Sequence, residues 1–136
     1  MSKFKSAFMA YMDQNGIKYT DVNERRVDVK YSGDNLNTIN VVVVFDEKDA
    51  DAARFVCWGI GTFKDDKYPN AILVCNEMNA KYRWVKFYVD KDKDVAAELD
   101  AHFTEQSVGS VCMEIVRRVV NITDEVYPSF AKILFS

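Results

Sequence analysis

The chain has 136 residues, of which 49% are hydrophobic, 29% charged and 13% aromatic, with a formal net charge of -3 at pH 7. These values predict one globular domain over residues 1–136 and exclude a disordered chain. The net negative charge, without a dense block of Lys and Arg, excludes a nucleic-acid partner, because phosphate backbones need a positive surface. Without a membrane-length apolar run or a signal-peptide pattern, the sequence predicts a cytoplasmic protein with no membrane partner.

The first half of the chain predicts one helix followed by strands. Apolar residues at helical spacing, ended by Gly16, predict a helix over residues 3–15. Alternation over residues 26–31 predicts a strand with one solvent-facing side. Residues 39–45 are β-branched on both faces and predict a central strand, and Asp46-Glu47-Lys48-Asp49 predicts the reversal after it. We interpret the apolar stretch 54–63 as a further strand, although it contains two glycines.

The second half predicts a helix, a hairpin and C-terminal helices. Tyr68-Pro69 opens a helix with so little polar surface that we expect it to be well covered. Residues 82–90 predict a strand, and the charged turn Asp90–Asp94 returns the chain through residues 95–99. The apolar stripe over residues 108–120 is the strongest helical signal, so this helix should support the sheet.

The last turns of the chain contain signals for a new helix. Thr123-Asp124-Glu125 offers a capping side chain and two acids, as at a helix start. Pro128 lacks an N–H and should kink the helix or restart it. We therefore expect more than one helix at the C-terminus.

Reactive side chains are few and scattered. His102 is the only histidine, and a catalytic or zinc role would need partners that the sequence does not supply. Three cysteines with apolar neighbours are typical of buried free thiols in a reducing compartment. They are Cys57, Cys75 and Cys112. We expect no catalytic residue and no cofactor.

Two short patterns fail as ligand sites. Asp90, Asp92 and Asp94 have the spacing that opens a calcium loop, but Val95 stands where its glycine is needed and Ala101 where its glutamate is needed. We therefore predict a solvated turn and no metal. Gly59-x-Gly61 is too short for a nucleotide fingerprint, and a bulge or a corner is the better interpretation.

The aromatic residues near position 84 are the strongest site hypothesis. If Val85, Phe87 and Val89 face the core, the alternate side chains stand on an outer face. These are Tyr82, Trp84, Lys86 and Tyr88. Either the C-terminal helices cover the rings of Trp84 and Tyr88, or a second subunit or a partner does, and the sequence leaves both alternatives open.

A polar junction precedes this strand. Asn76 and Asn79 lie near the end of a predicted helix, where they could line a small ligand pocket or simply cap the helix. Capping is the commoner role for asparagine at such a position.

The chain resembles the YbjN domain family, often labelled bacterial sensory transduction regulators, with a fold similar to that of type III secretion chaperones. The resemblance is carried by three segments. They are Asn76-Glu77-Met78-Asn79 running into Tyr82-Arg83-Trp84-Val85-Lys86-Phe87-Tyr88, the turn Asp90–Asp94, and Asp124-Glu125-x-Tyr127-Pro128.

This resemblance implies an α+β fold, in which an N-terminal helix, a mid-chain helix and C-terminal helices pack on an antiparallel sheet. It also implies a non-enzymatic protein that forms a homodimer or binds a segment of another protein. The function predicted is a protein-interaction module, chaperone-like or a regulator of sensory transduction. The alternative is a sensor domain with a small molecule between sheet and helices.

Overall fold

The computed structural model describes residues 2–47 and 50–136, and it is an α+β protein. Of the predicted reversal at residues 46–49, Lys48 and Asp49 lie outside the described residues. The elements in chain order are α1 (Lys3–Gln14), β1 (Thr20–Asp21), β2 (Arg26–Tyr31), β3 (Ile39–Phe45), β4 (Ala52–Cys57), α2 (Tyr68–Lys81), β5 (Lys86–Val89), β6 (Val95–His102) and α3 (Val108–Leu134).

The sheet has six strands in the order β1-β2-β3-β4-β6-β5, and every neighbouring pair is antiparallel. The predicted central position of β3 is confirmed, because β3 pairs along its length with β2 and β4. Its β-branched residues are buried on both faces, as Val41 and Val42 show. The α+β fold expected from the sequence is therefore present.

The described helices pack on one face of this sheet and form one core with it. Phe8 of α1 lies 6.1 Å from Phe45 of β3 between ring centroids, and Phe130 of α3 lies 6.0 Å from Phe87 of β5. α3 also crosses α1, where a Cβ on Gly109 would come within 2.3 Å of Tyr11. Only glycine allows this close approach of the two helices.

The opposite face of the sheet has no helix within the described ranges. Val56 and Ala96 are nevertheless buried on this face, beneath the longer side chains of neighbouring strands. We call it the helix-free face.

Two predictions about element bounds and one about burial are wrong. The strand expected over 54–63 ends at Cys57, because Gly59 turns the chain away with a φ of 83°. The strand expected over 82–90 is only Lys86–Val89. The helix expected to be well covered exposes Leu73 by 63% and Ile72 by 43%, because α2 packs at the sheet edge and buries a narrow stripe.

The expected break in the C-terminal helix is also wrong, since α3 runs unbroken from Val108 to Leu134 with Pro128 inside it. The Asp124 carboxylate does cap backbone N–H groups, but those of the β2–β3 loop. It accepts hydrogen bonds from the N–H of Asp34 at 3.0 Å and from those of Asn35 and Leu36 at 2.9 Å each. Gly33 permits this, because a Cβ there would lie 2.2 Å from the carboxylate.

Pro128 explains a further hydrogen bond between α3 and the β2–β3 loop. Proline has no N–H, so the carbonyl four residues before it, that of Asp124, loses its usual helical donor. The side chain of Asn35 donates to this carbonyl at 3.1 Å. The proline is therefore accommodated because the loop supplies the hydrogen bond that the helix lacks.

We predict that Asp124→Ala lowers the free energy of unfolding by about 2 kcal/mol, because three backbone N–H groups lose a charged acceptor. Urea denaturation at pH 7 measures this change. The matched control is Glu125→Ala at the exposed neighbour, which should change stability by less than about 0.5 kcal/mol. Equal effects of the two variants would contradict the role of Asp124.

The pH dependence of this contact has a defined sign. Burial opposes ionisation of Asp124, but the N–H groups of Leu36, Asn35 and Asp34 outweigh it and lower the pKa of the carboxyl group. The stabilisation is therefore complete above the unfolded pKa of about 3.9 and is lost as the pH falls through the lower folded pKa. The stability gap between wild type and Asp124→Ala should shrink below about pH 4.

A double-mutant cycle tests the role of Pro128. Asn35→Ala should lower stability by about 1 kcal/mol in the wild type. In a Pro128→Ala background the same change should have a smaller effect, because residue 128 then donates to the Asp124 carbonyl. Identical effects in both backgrounds, measured by urea denaturation, would rule out the compensation.

Candidate functional site

The segment between α2 and β5 makes a strained turn at Trp84. The N–H of Val85 donates to the carbonyl of Arg83 at 2.9 Å, and Trp84 between them has a φ of 77°. A hydrogen bond across three residues with a positive central φ defines a γ-turn, a rare and strained conformation. This turn is why the strand predicted from residue 82 begins only at Lys86.

The turn is held by its buried neighbours and presents Trp84 outward. Val85 and Phe87 are each 2% exposed, whereas Trp84 is 54% exposed. The predicted alternation of faces is therefore preserved for these three side chains, although the backbone is extended only beyond the turn.

Two guanidinium groups lie close to the indole ring of Trp84. The Cζ atoms of Arg83 and of Arg118 in α3 lie 5.6 Å and 4.9 Å from the ring centroid, and Arg118 is also hydrogen bonded to Glu114 at 2.9 Å. Such cation–π contacts stabilise the ring position by about 0.5–1 kcal/mol each at exposed sites. We call Arg83, Trp84 and Arg118 the Trp84 surface.

The other predicted site residues do not all lie beside Trp84. Tyr82 ends α2 and lies under the ammonium group of Lys81, 5.3 Å from its ring centroid. Lys86 is exposed at the start of β5, opposite Glu98 of β6. The Tyr88 hydroxyl donates to the Glu98 carboxylate at 2.6 Å on the helix-free face. The structure thus separates Lys86 and Tyr88 from the Trp84 surface.

Tyr88 belongs to a charged network on the helix-free face. Arg54 donates to the same Glu98 carboxylate at 2.9 Å. Burial and the bond to Glu98 raise the pKa of Tyr88. Burial also disfavours the charged form of Glu98, but the bonds from Arg54 and Tyr88 outweigh it and lower the pKa of Glu98. These groups satisfy one another, so Tyr88 is not a free docking ring.

Asn79 closes the free edge of β5. Its side-chain oxygen accepts from the N–H of Phe87 at 2.6 Å, and its side-chain nitrogen donates to the Phe87 carbonyl at 2.9 Å. The amide thus imitates the next strand of the sheet. This prevents another chain from pairing with β5 at Phe87.

Asn76 and Asn79 do border a cleft, of about 310 Å³, between α2 and β5. Its wall includes Ile72 and Val89. Because the Asn79 amide is already bonded to Phe87, Asn76 is the amide of this pair that remains open to a ligand.

The reactive side chains do not converge. Burial raises the pKa of Cys57 to about 12 and that of Cys75 to about 11, and it also raises the pKa of Cys112. The prediction of buried free thiols is confirmed for all three. His102 is exposed at the end of β6.

Two further searches of the described residues found nothing. Within residues 2–47 and 50–136, no cluster of three His, Cys, Asp or Glu side chains could hold a metal ion. No helix in these ranges is long and apolar enough to cross a bilayer.

Fold and site together define an α+β protein with an exposed tryptophan on a γ-turn. The chain belongs to the YbjN family, whose model matches residues 7–132 and is described as "Putative bacterial sensory transduction regulator". The resemblance stated from the sequence is therefore confirmed. No curated protein sequence matches the chain.

Two solved structures are similar to it in fold. One is titled "Crystal structure of YbjN, a putative transcription regulator from E. coli", with a TM-score of 0.66, 8% identity and 92% of each chain covered. The other is a chain of the heterodimeric complex ExoU-SpcU from the type III secretion system of Pseudomonas aeruginosa. Its TM-score is 0.60 at 16% identity, covering 92% of this chain and 95% of that one. The expected likeness to a type III secretion protein is confirmed at the level of fold.

Sequence reasoning missed Arg118. Its spacing of four residues from Glu114 predicts an ion pair along α3, which the structure contains. No local pattern shows that the same guanidinium lies on Trp84, because the two residues are far apart in the chain.

We predict that Trp84→Gly is more stable than Trp84→Ala by about 1 kcal/mol, because glycine adopts a positive φ without strain. Urea denaturation of the two variants measures the difference. Trp58, exposed by 42% and without a positive φ, provides the control pair, in which alanine should be the more stable residue. The same order at both positions would show that the turn at Trp84 is unstrained.

Proposed function

We propose that the chain is a non-enzymatic interaction domain that binds a segment of another protein at the Trp84 surface. It acts in the cytoplasm, with residues 1–136 as one unit, either as a chaperone-like protein or as a regulator of sensory transduction. The observation that carries this proposal is Trp84 itself, exposed by 54% on a strained turn and in contact with two guanidinium groups.

The energetics of the turn support a binding role. A strained backbone costs about 1–3 kcal/mol and persists where the surrounding structure imposes it, most often at functional sites. Packing of the core does not explain why Trp84 is exposed, because the buried side chains of Val85 and Phe87 already anchor the segment. Trp and Arg are also the residues most enriched among the energetic centres of protein interfaces.

The comparisons support a protein partner in general terms. The ExoU-SpcU assembly is a complex of two different proteins, and one of its chains has the same fold as this chain. A shared fold does not by itself transfer a function. The proposal therefore depends on the Trp84 surface, and the likeness in fold is secondary to it.

Self-association is a second mode of partner binding. Leu73 and Ile72 of α2 are exposed apolar residues that a second copy of the chain would cover. A small-molecule sensor is less favoured, because Asn79 in the α2–β5 cleft is saturated by the backbone of Phe87.

Affinity capture from the native cytoplasm tests the proposal, with Trp84→Ala as the variant and Trp58→Ala as the control for loss of an exposed tryptophan. We expect one protein to be captured by wild type and by Trp58→Ala, and to bind Trp84→Ala at least tenfold more weakly when purified. Tenfold corresponds to about 1.4 kcal/mol, a modest loss for a central Trp.

Two results would contradict the proposal. One is full retention of every captured protein by Trp84→Ala while this variant keeps the melting temperature of the Trp58→Ala control. The other is a melting-temperature rise with a metabolite that disappears in Asn76→Ala, which would favour the sensor alternative.

A further inference from the structure

β6 is longer than its outer neighbour β5, so part of its edge is unpaired. β5 pairs with Val95 to Glu98 of β6 and the pairing stops there, because the γ-turn at Trp84 takes the chain away from the sheet. On its other side, β6 pairs with β4 as far as His102. Residues 99–102 therefore have a neighbouring strand on one side only.

The direction of the backbone groups along this edge follows from the hydrogen bonds of two residues, Phe103 and Phe87. The N–H of Phe103 donates to the Asp51 carbonyl on the β4 side, at 3.1 Å. Backbone groups alternate in direction along a strand, so those of Asp100 and His102 point to the vacant side. The hydrogen bonds between Phe87 and Asn79 support this direction. They show that the backbone groups of Phe87 point away from β6, so Phe87 does not bond to Ala97, its opposite residue in β6.

Within the described residues, the N–H and C=O groups of Asp100 and His102 have no backbone partner on that side. These two residues present two donors and two acceptors at strand spacing. One extended segment could bond all four.

Beside this edge lies apolar surface that is incompletely covered. On the core face of β6, Val95 and Ala97 are fully buried, whereas Leu99 and Ala101 are only partly buried. Val111, Ile115 and Arg118 form one stripe of α3, and Arg118 contacts Trp84. This stripe is therefore turned to the β5 side, above the vacant edge.

The Trp84 surface lies beside this apolar surface and carries positive charge, because it contains Arg83 and Arg118. Arg83 has no carboxylate partner within residues 2–47 and 50–136. A carboxylate on a bound segment would find a guanidinium group there.

We propose that the vacant edge of β6 at Asp100–His102 is a strand-addition site for an extended acidic segment of a partner protein. The segment forms a seventh strand, with alternate apolar side chains over Leu99 and Ala101 and a carboxylate at Arg83. This inference rests on the proposed function and specifies the mode of binding. Strand addition on β5 is opposed by Asn79, which already occupies the backbone of Phe87.

The first test needs no variant. Amide hydrogen exchange by NMR in dilute wild-type protein should be fast at Asp100 and His102 and slow at Leu99 and Ala101, which bond to β4. Protection of all four amides in the monomer would overturn the proposal.

The second test uses a phage-displayed library of random 12-residue peptides selected on the wild-type protein. We expect enriched peptides with alternating apolar residues and at least one acid. His102→Pro removes the outward N–H and should weaken their binding about tenfold, since proline is tolerated at a sheet edge where its N–H is unused. His102→Ala keeps the N–H and should change binding less than about twofold.

The remaining outcomes are decisive as well. Failure to enrich any peptide, or equal binding to His102→Pro and His102→Ala, overturns strand addition. A dimer that His102→Pro dissociates, seen by sedimentation, would assign the edge to a second copy and also overturn it. If Trp84→Ala loses the natural partner while His102→Pro retains it, the proposed function stands and this inference fails.

Discussion

The contact between Asp124 and the backbone of residues 34–36 fixes how the helical layer meets the sheet. It joins the middle of α3 to the loop that precedes the central strand β3. The first half then places Arg118 on Trp84, and the second half places Phe130 on Phe87. The exposed site therefore depends on a polar contact that lies elsewhere in the molecule.

Local patterns predicted those parts of the fold that are determined locally. The helix over 3–15 and the central strand over 39–45 follow from spacing and from β-branched residues, and both are present. The Thr123-Asp124-Glu125 pattern predicts the start of a new helix, which is wrong, because the Asp124 carboxylate caps N–H groups that lie about 90 positions earlier in the chain. Sequence spacing carries no information about such a partner, so a continuous helix was predicted as broken.

The candidate site was predictable in its residues and not in its geometry. Alternation correctly separates Trp84 from Val85 and Phe87, yet it cannot distinguish a strand from a γ-turn that displays the same faces. The segment that carries the family resemblance, residues 76–88, combines two roles. Asn79 holds the backbone of β5, whereas Trp84 is exposed. Likeness in this segment alone therefore does not distinguish residues that maintain the fold from residues available to a partner.

The length and position of α3 have a consequence for synthesis on the ribosome. This helix has 27 residues, about 40 Å, and it leaves the ribosome after all the other described elements. Until it does, the apolar face beneath Phe130 and Val116 has no cover, and α1 lacks the partner that packs against it at Gly109. We therefore expect the nascent chain to remain unfolded until α3 has emerged, when the core closes in one cooperative step.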